Sequence, residues 1–457
     1  MAEDKKDKNW SGKRLTVIGA GVSGMALAFL ARGLGARVFI SEEKAELPYD
    51  AAKRLEKIGV GWEAGGHSPR AFEADALLLS SGIPPFASCV REAERRGIPA
   101  VGELDFAVPH IQGRIVGVTG SNGKSTVTAL IGHILKKAGL KVGVGGNIGE
   151  AASLFTGEKF DCVVLELSSF QLHWVHELKT AAAIVTNLAP DHIDWHGSYE
   201  AYTAAKAKLL SLQDERGWGV IQACDRQALS PSRPDRLTVL SWDEASDDRA
   251  FGHVFMGKDR AVLRLGGKEY SLFSYGDAAL LGRHNLENTA MALAVARLLN
   301  VTLPPAPDAL EGFCSLPHRC ELAGLAEGVT YIDDSKGTNV AASVTALTSI
   351  EGRKVVILGG KGKGEDYRPL AEAVLKEAEA AVVLGAEKER IEAALRNAGF
   401  TSIHRASGME EAVFTAQRLA RPGMVVLLSP ACTSWDMYEN YKKRGEHFRA
   451  LVRELEG

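Results

Sequence analysis

The stretch "RIVGVTGSNGKST" (residues 114–126) is the part of this chain best equipped for chemistry. An apolar run enters a glycine-rich loop, and Lys124, Ser125 and Thr126 open a helical pattern. Backbone N–H groups of Gly120, Ser121, Asn122 and Gly123 can cradle phosphate oxygens. Lys124 can neutralise their charge, and the hydroxyl of Ser125 or Thr126 can ligate Mg2+. The spacing departs from the common phosphate loop: Val118 stands where its leading glycine would be, and the glycines fall at 117, 120 and 123. Further on, "LELSSFQL" puts Glu166 just after an apolar run. There a carboxylate beside a phosphate loop can complete a Mg2+ shell.

Other stretches leave their chemistry open. "APDHIDWHGS" sets His192 and His196 four apart with Asp191 and Asp194 nearby. No acid follows His192 as in H-E-x-x-H, and Pro190 and Gly197 leave little room for a helix. A loop offering Asp or His to a hard cation or a substrate therefore fits better than zinc. "GGKGKGEDY" holds Lys361 and Lys363 among glycines, as an anion grip or a basic turn. "YIDDSKGTN" and "LLSPACTSWDMYENYKKRGEHF" place polar residues after apolar runs, where open sheets bind ligands. Near the start, Gly19, Gly21 and Gly24 form the fingerprint of a turn that admits a diphosphate at a helix N-terminus. Glu42, at the end of the next apolar run, could hold a dinucleotide ribose. These residues allow an NAD-linked oxidoreductase, an ATP-driven regulatory module or an ATP-dependent ligase.

The elements that must carry these residues are strand–loop–helix units throughout. The 457 residues exceed one ordinary core, and about three domains of ~150 residues are expected. Short continuous apolar runs such as "LTVIGA", "ARVFIS" and "ADALLLSSG" predict parallel strands covered on both faces. Residues 218–275 change character. "RAVLRLGGKEYSLF" predicts a hairpin at Gly266-Gly267 within an antiparallel extension of the second domain, which closes with the helical "HNLENTAMALAVARLL". "VTYIDDS", "KVVILGG", "AAVVLG" and "MVVLLSP" predict the strands of a third α/β segment.

With Lys+Arg 54 against Asp+Glu 57, the net charge is −3 and no basic stripe points to nucleic acid. The start "MAEDKKDKNWSGK" lacks the apolar core of a secretion signal, and no apolar run reaches membrane-spanning length. The six cysteines, 89, 162, 224, 314, 320 and 432, form no C-x-x-C pair, so buried free thiols in a reducing cytoplasm are expected.

Taken together, the motifs resemble the Mur ligase family, which joins amino acids to a nucleotide-linked sugar in bacterial cell-wall synthesis, and so serves cell shape and division. "GSNGKST" without the leading glycine is that family's form. "LPHRCE", "DDSKGTN" and "SPACTSWDMYENYKKRGEHF" resemble its D-glutamate-adding members, and no D-N-P-R loop of the diamino-acid-adding ones is present. The resemblance implies an α/β protein of three domains. Residues 1–110 would be a Rossmann-like UDP-sugar-binding domain and 111–314 a P-loop ATPase-like domain with the antiparallel extension. Residues 315–457 would form a Rossmann-like domain for the amino acid. It implies ATP, UDP-N-acetylmuramoyl-L-alanine and D-glutamate as partners in a monomeric cytoplasmic enzyme.

The resemblance also assigns residues. Gly120 to Thr126 would hold the ATP phosphates, with Lys124 catalytic. Ser125 or Thr126 and Glu166 would hold one Mg2+, and His192 a second. Lys206, which charge patterning alone would leave on a solvated helix face, matches the lysine that CO2 carbamylates to make a metal ligand. Asn285, Asn288, Arg319 and Asp334 would contact the nucleotide. Asn147, Ser168 and Gln171 would line the sugar-peptide substrate, and Val22, Ser23, Ser41, Glu42 and Gly82 the uridine pocket. Lys336, Thr338, Lys363, Ser434, Trp435 and Tyr441 would surround D-glutamate, and Lys361 carries no assignment.

Overall fold

The computed structural model describes residues 9–47, 50–244, 250–278, 280, 282–314 and 316–456. Most of the charged N-terminal stretch lies outside the described residues.

Three sheets follow one another along the chain. The first contains β1 (Arg14–Ile18), β2 (Arg37–Glu42), β3 (Gly61–Ala64), β4 (Ala76–Leu79) and β5 (Ala100–Gly102). Its order is β3-β2-β1-β4-β5, with every pair parallel. The chain reverses direction of growth beside β1, so a crevice opens at the end of that strand, where the glycine turn lies. Gly24 permits the close packing of the helix Val22–Gly33 on this turn: a Cβ there would stand 1.9 Å from the carbonyl oxygen of Gly19.

The second sheet has nine strands: β6 (Gln112–Thr119), β7 (Val142–Gly146), β8 (Lys159–Glu166), β9 (Thr180–Val185), β10 (Gln213–Gln222), β11 (Leu237–Ser241), β12 (Gly252–Met256), β13 (Arg260–Leu265) and β14 (Lys268–Ser274). Their order is β14-β13-β12-β11-β10-β9-β6-β8-β7. The hairpin expected at Gly266-Gly267 is β13–β14. The expected antiparallel extension needs correction, because β10, β11 and β12 continue the parallel sheet and only β13 and β14 run antiparallel. The expectation rests on the Gly266-Gly267 hairpin, whereas the parallel pairing of β10 to β12 joins strands separated by longer connections and leaves no comparable local signature.

The third sheet holds β15 (Glu321–Ala326), β16 (Val329–Asp333), β17 (Lys354–Gly359), β18 (Ala378–Leu384), β19 (Ile403–Arg405) and β20 (Val425–Leu428), in the order β15-β16-β20-β17-β18-β19. The antiparallel edge strand β15 and the three-residue β19 were not expected. β15 keeps Leu322 and Leu325 exposed and β19 is too short for a clear apolar run.

Each sheet is covered on both faces, with a separate apolar cluster on either side. That burial explains the unbroken apolar runs in the central strands, since transfer of such side chains from water supplies about 25 cal/mol per Å2. Cys89, Cys162 and Cys432 are buried as expected. Cys224 and Cys314 are exposed, outside the strands, and Cys320 is half-buried, so the expectation fails for these three. Among the described residues no helix is long and apolar enough to cross a membrane.

Candidate active site

The phosphate-type loop joins β6 to the helix Lys124–Lys137. Gly120 sits at φ +141°, and a Cβ there would lie 2.0 Å from Thr186 Oγ1 at the end of β9. The loop is braced by the segment after β9: Asn122 N–H donates to Asn187 Oδ1 at 2.9 Å, and Ser121 Oγ contacts both Ala189 O at 2.9 Å and Tyr202 OH at 2.8 Å. Lys124 Nζ folds back on its own loop, donating to Gly120 O and Ser121 O at 2.8 and 2.7 Å. Burial lowers its pKa, while Glu166 and Asp191 pull it up.

Glu166 ends β8, beside β6, because strand register pairs it with Val118. Its Oε1 accepts from Asn147 Nδ2 at 2.8 Å, and its Oε2 is buried with no hydrogen-bond partner. A carboxylate oxygen left this way is costly unless something cationic meets it. His192 follows the loop after β9 at φ +53°. Burial pushes it down to about 4 in spite of nearby Asp191, with Lys363, Lys124 and Lys206 adding to the fall. It is therefore a neutral imidazole with a lone pair to give.

Lys206 projects from the helix Tyr199–Ser211 and is 2% exposed. Its Nζ donates to Gly120 O at 2.6 Å and lies 4.7 Å over the Tyr202 ring. Burial holds it well below the ordinary lysine range, helped by Lys124. Among the described residues no carboxylate pairs with it within 4.0 Å. The amine is thus desolvated, which disfavours its charged form and favours the free base, the form in which a lysine is nucleophilic.

The third domain closes over this loop. Lys363 Nζ meets Asp191 Oδ1 at 2.9 Å, Asn339 Nδ2 donates to Asp191 Oδ2 at 3.3 Å, and Arg319 donates to Ser125 Oγ. Between the domains lies a cavity of about 360 Å3. It brings together Ser121 to Lys124, Asn147, Glu166, Ser168, His192 and Lys206 from one side. From the other come Arg319, Lys336, Thr338, Lys363, Ser434, Trp435 and Tyr441. Lys336 Nζ lies 3.9 Å from the centre of the Tyr441 ring, and burial pushes it down to about 7 with Arg319 adding to the fall.

A smaller adjoining cleft gathers Thr126, Asn285, Asn288, Arg319 and Asp334. Asp334 accepts from Ser429 Oγ at 2.7 Å, and burial pushes it up to about 7.

Several assigned residues lie elsewhere. Gln171 lines neither cavity: its Oε1 accepts the N–H of Ser168 in a capping box, and its buried Nε2 has no partner. In the first domain Val22, which opens the helix Val22–Gly33, and Gly82, in the loop after β4, are exposed. Ser23 Oγ donates to Glu103 Oε2 at 2.6 Å. Ser41 and Glu42 turn inward: Ser41 Oγ meets Glu63 and His67, and Glu42 Oε2 accepts the N–H of Ala20 at 2.7 Å.

Sequence reasoning missed Arg444 and left Asp191 and Asn339 without assigned roles. Arg444, 1% exposed, donates from Nη2 to Ser335 O and from Nη1 to Cys432 O, at 2.8 and 3.1 Å. It fixes two loops that line the cavity. In "YKKRGEHF" only its helical spacing to Phe448, on the buried face, distinguishes it from its exposed neighbours Lys442 and Lys443.

Three domain families match the chain in order: the MurD N-terminal domain at residues 14–89, the Mur ligase middle domain at 118–296 and the Mur ligase glutamate ligase domain at 318–432. A UDP-N-acetylmuramoylalanine–D-glutamate ligase of Pelotomaculum thermopropionicum is 37% identical over 98% of this chain and 99% of its own length. One of Salinibacter ruber is 39% identical over 97% and 98%. The chain belongs to the Mur ligase family. This Mur ligase also shares its fold with a UDP-N-acetylmuramate–alanine ligase of Thermotoga maritima, at TM-score 0.61 and 20% identity over 97% and 99% of the two chains. The MurF ligase of the same organism, solved in complex with ADP, gives 0.58 at 18% identity over 98% and 96%.

Proposed function

We propose that this Mur ligase adds D-glutamate to UDP-N-acetylmuramoyl-L-alanine at the expense of ATP, releasing ADP and phosphate. The observation that carries the reading is the inter-domain cavity in which the phosphate loop and Glu166 face Lys336, Lys363 and Arg319. Full-length similarity to D-glutamate ligases supports the choice of amino acid and acceptor.

A carboxylate does not acylate an amine until it carries a leaving group. An oxygen of the L-alanine carboxylate attacks the γ-phosphorus, and the bond to ADP breaks. The amine of D-glutamate then attacks the carbonyl carbon of the acyl phosphate. Phosphate leaves with the C–O electron pair, and the amine loses a proton. Each step concentrates negative charge on oxygens, so preorganised cations and N–H groups lower the barrier. Lys124 swings from its loop carbonyls to the phosphates. Lys336 and Lys363 hold the glutamate carboxylates, with Thr338, Ser434 and Tyr441 as hydrogen-bonding neighbours and Trp435 at the rim. Asn285, Asn288, Arg319 and Asp334 take the nucleoside side. Asn147 and Ser168 line the acceptor, with Gln171 supporting the cap at Ser168, and Val22 and Ser23 at the start of the helix Val22–Gly33, with Gly82 after β4, take its uridine end.

The donor set fits Mg2+: the buried unpartnered Glu166 Oε2, a neutral His192 and the hydroxyls of Ser125 and Thr126. Bound there, Mg2+ would supply positive charge to the phosphate oxygens. In the same reading the unprotonated Lys206 amine attacks CO2, forming an N–C bond and losing one proton. The resulting carbamate gives an anionic oxygen ligand in place of a neutral amine. Consumption of ATP and a nucleotide-linked sugar supports a cytoplasmic setting.

The test is phosphate release from Mg-ATP and UDP-N-acetylmuramoyl-L-alanine, with and without D-glutamate, and the mass of the product. Turnover that is indifferent to D-glutamate, or a product without the added glutamyl mass, overturns the reading.

A further inference from the structure

The opposite edge of the central sheet carries a second concave site. It lies at the beginnings of β6, β9 and β10 and at the end of the helix Arg283–Leu298, whereas the ligase residues lie at the ends of β6, β8 and β9. The eight residues of β6 alone separate the two edges by roughly 25 Å. The cavity there is about 1210 Å3.

Six cations line it: Arg114, Lys179, Arg216, Arg233, Arg236 and Arg297, against the two carboxylates of Asp214 and Glu215. This concentration stands out on a chain whose net charge is −3. Among the described residues, no carboxylate lies within 4.0 Å of any of the six cationic groups. Instead, backbone carbonyls and rings orient the guanidiniums. Arg114 Nη1 donates to Leu299 O at 2.9 Å, and Arg233 donates to Asp214 O and Glu215 O at 2.7 and 2.8 Å. Arg236 stacks over Trp218 at 5.0 Å and Arg297 over Tyr270 at 5.5 Å. These contacts use at most two of the five N–H groups of Arg114 and Arg233, and fix the planes in which the others point.

Arginine forks held this way match phosphate oxygens, and like charges gathered without carboxylate partners favour a multivalent anion. A single phosphate would leave most of the volume empty. Gln213 adds a further requirement. It lines the same cavity, is 8% exposed, and its Oε1 has no hydrogen-bond partner. A complementary ligand therefore offers a hydrogen-bonding group as well as phosphates.

We propose that this rear cavity binds a small nucleotide-class polyanion, with its phosphates on the arginines and a base or sugar group toward Gln213. Its occupancy is independent of the phosphate loop at Lys124.

Equilibrium dialysis of ADP against the full chain at 0.1 M ionic strength tests this. Two sites per chain are expected, the second tighter than about 1 mM. The triple variant Lys179→Ala/Arg216→Ala/Arg297→Ala should retain one site and weaken the other at least tenfold, with its melting temperature and ligase turnover unchanged. Lys124→Ala should weaken only the loop site. Pyrophosphate should bind the rear site less tightly than ADP; equal affinity overturns the nucleoside part and leaves free polyphosphate as the ligand. A single ADP site in the wild type, or two sites in both the wild type and the triple variant, overturns the proposal. So does displacement of ADP from this site by a short oligothymidylate at lower concentration, which would assign the surface to nucleic acid.

Discussion

Lys363 of the third domain forms an ion pair with Asp191 of the central domain at 2.9 Å, and both side chains are largely buried. Asp191 also faces His192 at 3.5 Å and accepts from Asn339. One carboxylate therefore links the third domain to the loop that braces the phosphate site.

Removing one partner of such a desolvated pair leaves the other uncompensated, at a cost of about 2–5 kcal/mol. Lys363→Met should lower kcat/KM at least tenfold. The ligand-free chain should also expand, because the closed arrangement loses its charged contact. Steady-state kinetics and small-angle scattering read the two effects. A variant with normal kinetics and an unchanged radius of gyration would show that the pair is incidental.

Lys206→Ala should abolish turnover, and short carboxylates such as acetate should restore part of it. Rigorous removal of CO2 should slow the wild type, with recovery on adding bicarbonate. If turnover is indifferent to bicarbonate, Lys206 acts as the free amine and the carbamate reading fails.

Asp334 and Lys336 give opposite pH slopes. Burial raises Asp334 to about 7, so the folded chain keeps a proton that the unfolded chain releases, and stability falls as pH rises from about 4 to 7. Burial lowers Lys336 to about 7, so its penalty is present below that pH and is relieved toward 10.5. Their joint contribution is therefore least favourable near pH 7. Urea midpoints at pH 5, 7 and 9 should show Asp334→Asn flattening the acid side and Lys336→Met the alkaline side. Unaltered slopes in both variants would remove the linkage.

Gly24→Ala would place a methyl 1.9 Å from Gly19 O, against backbone that cannot turn aside. Destabilisation of the first domain by about 3 kcal/mol is expected, with UDP-sugar binding weakened and ADP binding intact. Urea unfolding and calorimetry would detect this; a neutral substitution would mean that the helix shifts freely.

What could be read in the sequence is what local pattern dictates. Phosphate-loop glycines, buried strands and the Gly266-Gly267 hairpin each leave a signature within a dozen residues. The contact of Arg319 with Ser125 joins residues 194 apart, and no local pattern records it. The same holds for Arg444 and for the parallel pairing of β10, β11 and β12. Lys206 marks the sharpest divide: its local sequence suggests solvent, and only tertiary packing or kinship places it beneath the phosphate loop.

The contact between Arg319 and Ser125 has a consequence for nucleotide affinity. In this closed arrangement Arg319 engages the very hydroxyl that phosphate loops lend to a metal–nucleotide complex. If ATP enters only when that contact is released, its measured affinity is the intrinsic affinity multiplied by the fraction of molecules standing open. A substitution that merely loosens this latch, such as Ser125→Ala, could then speed nucleotide entry while impairing the use of what has entered.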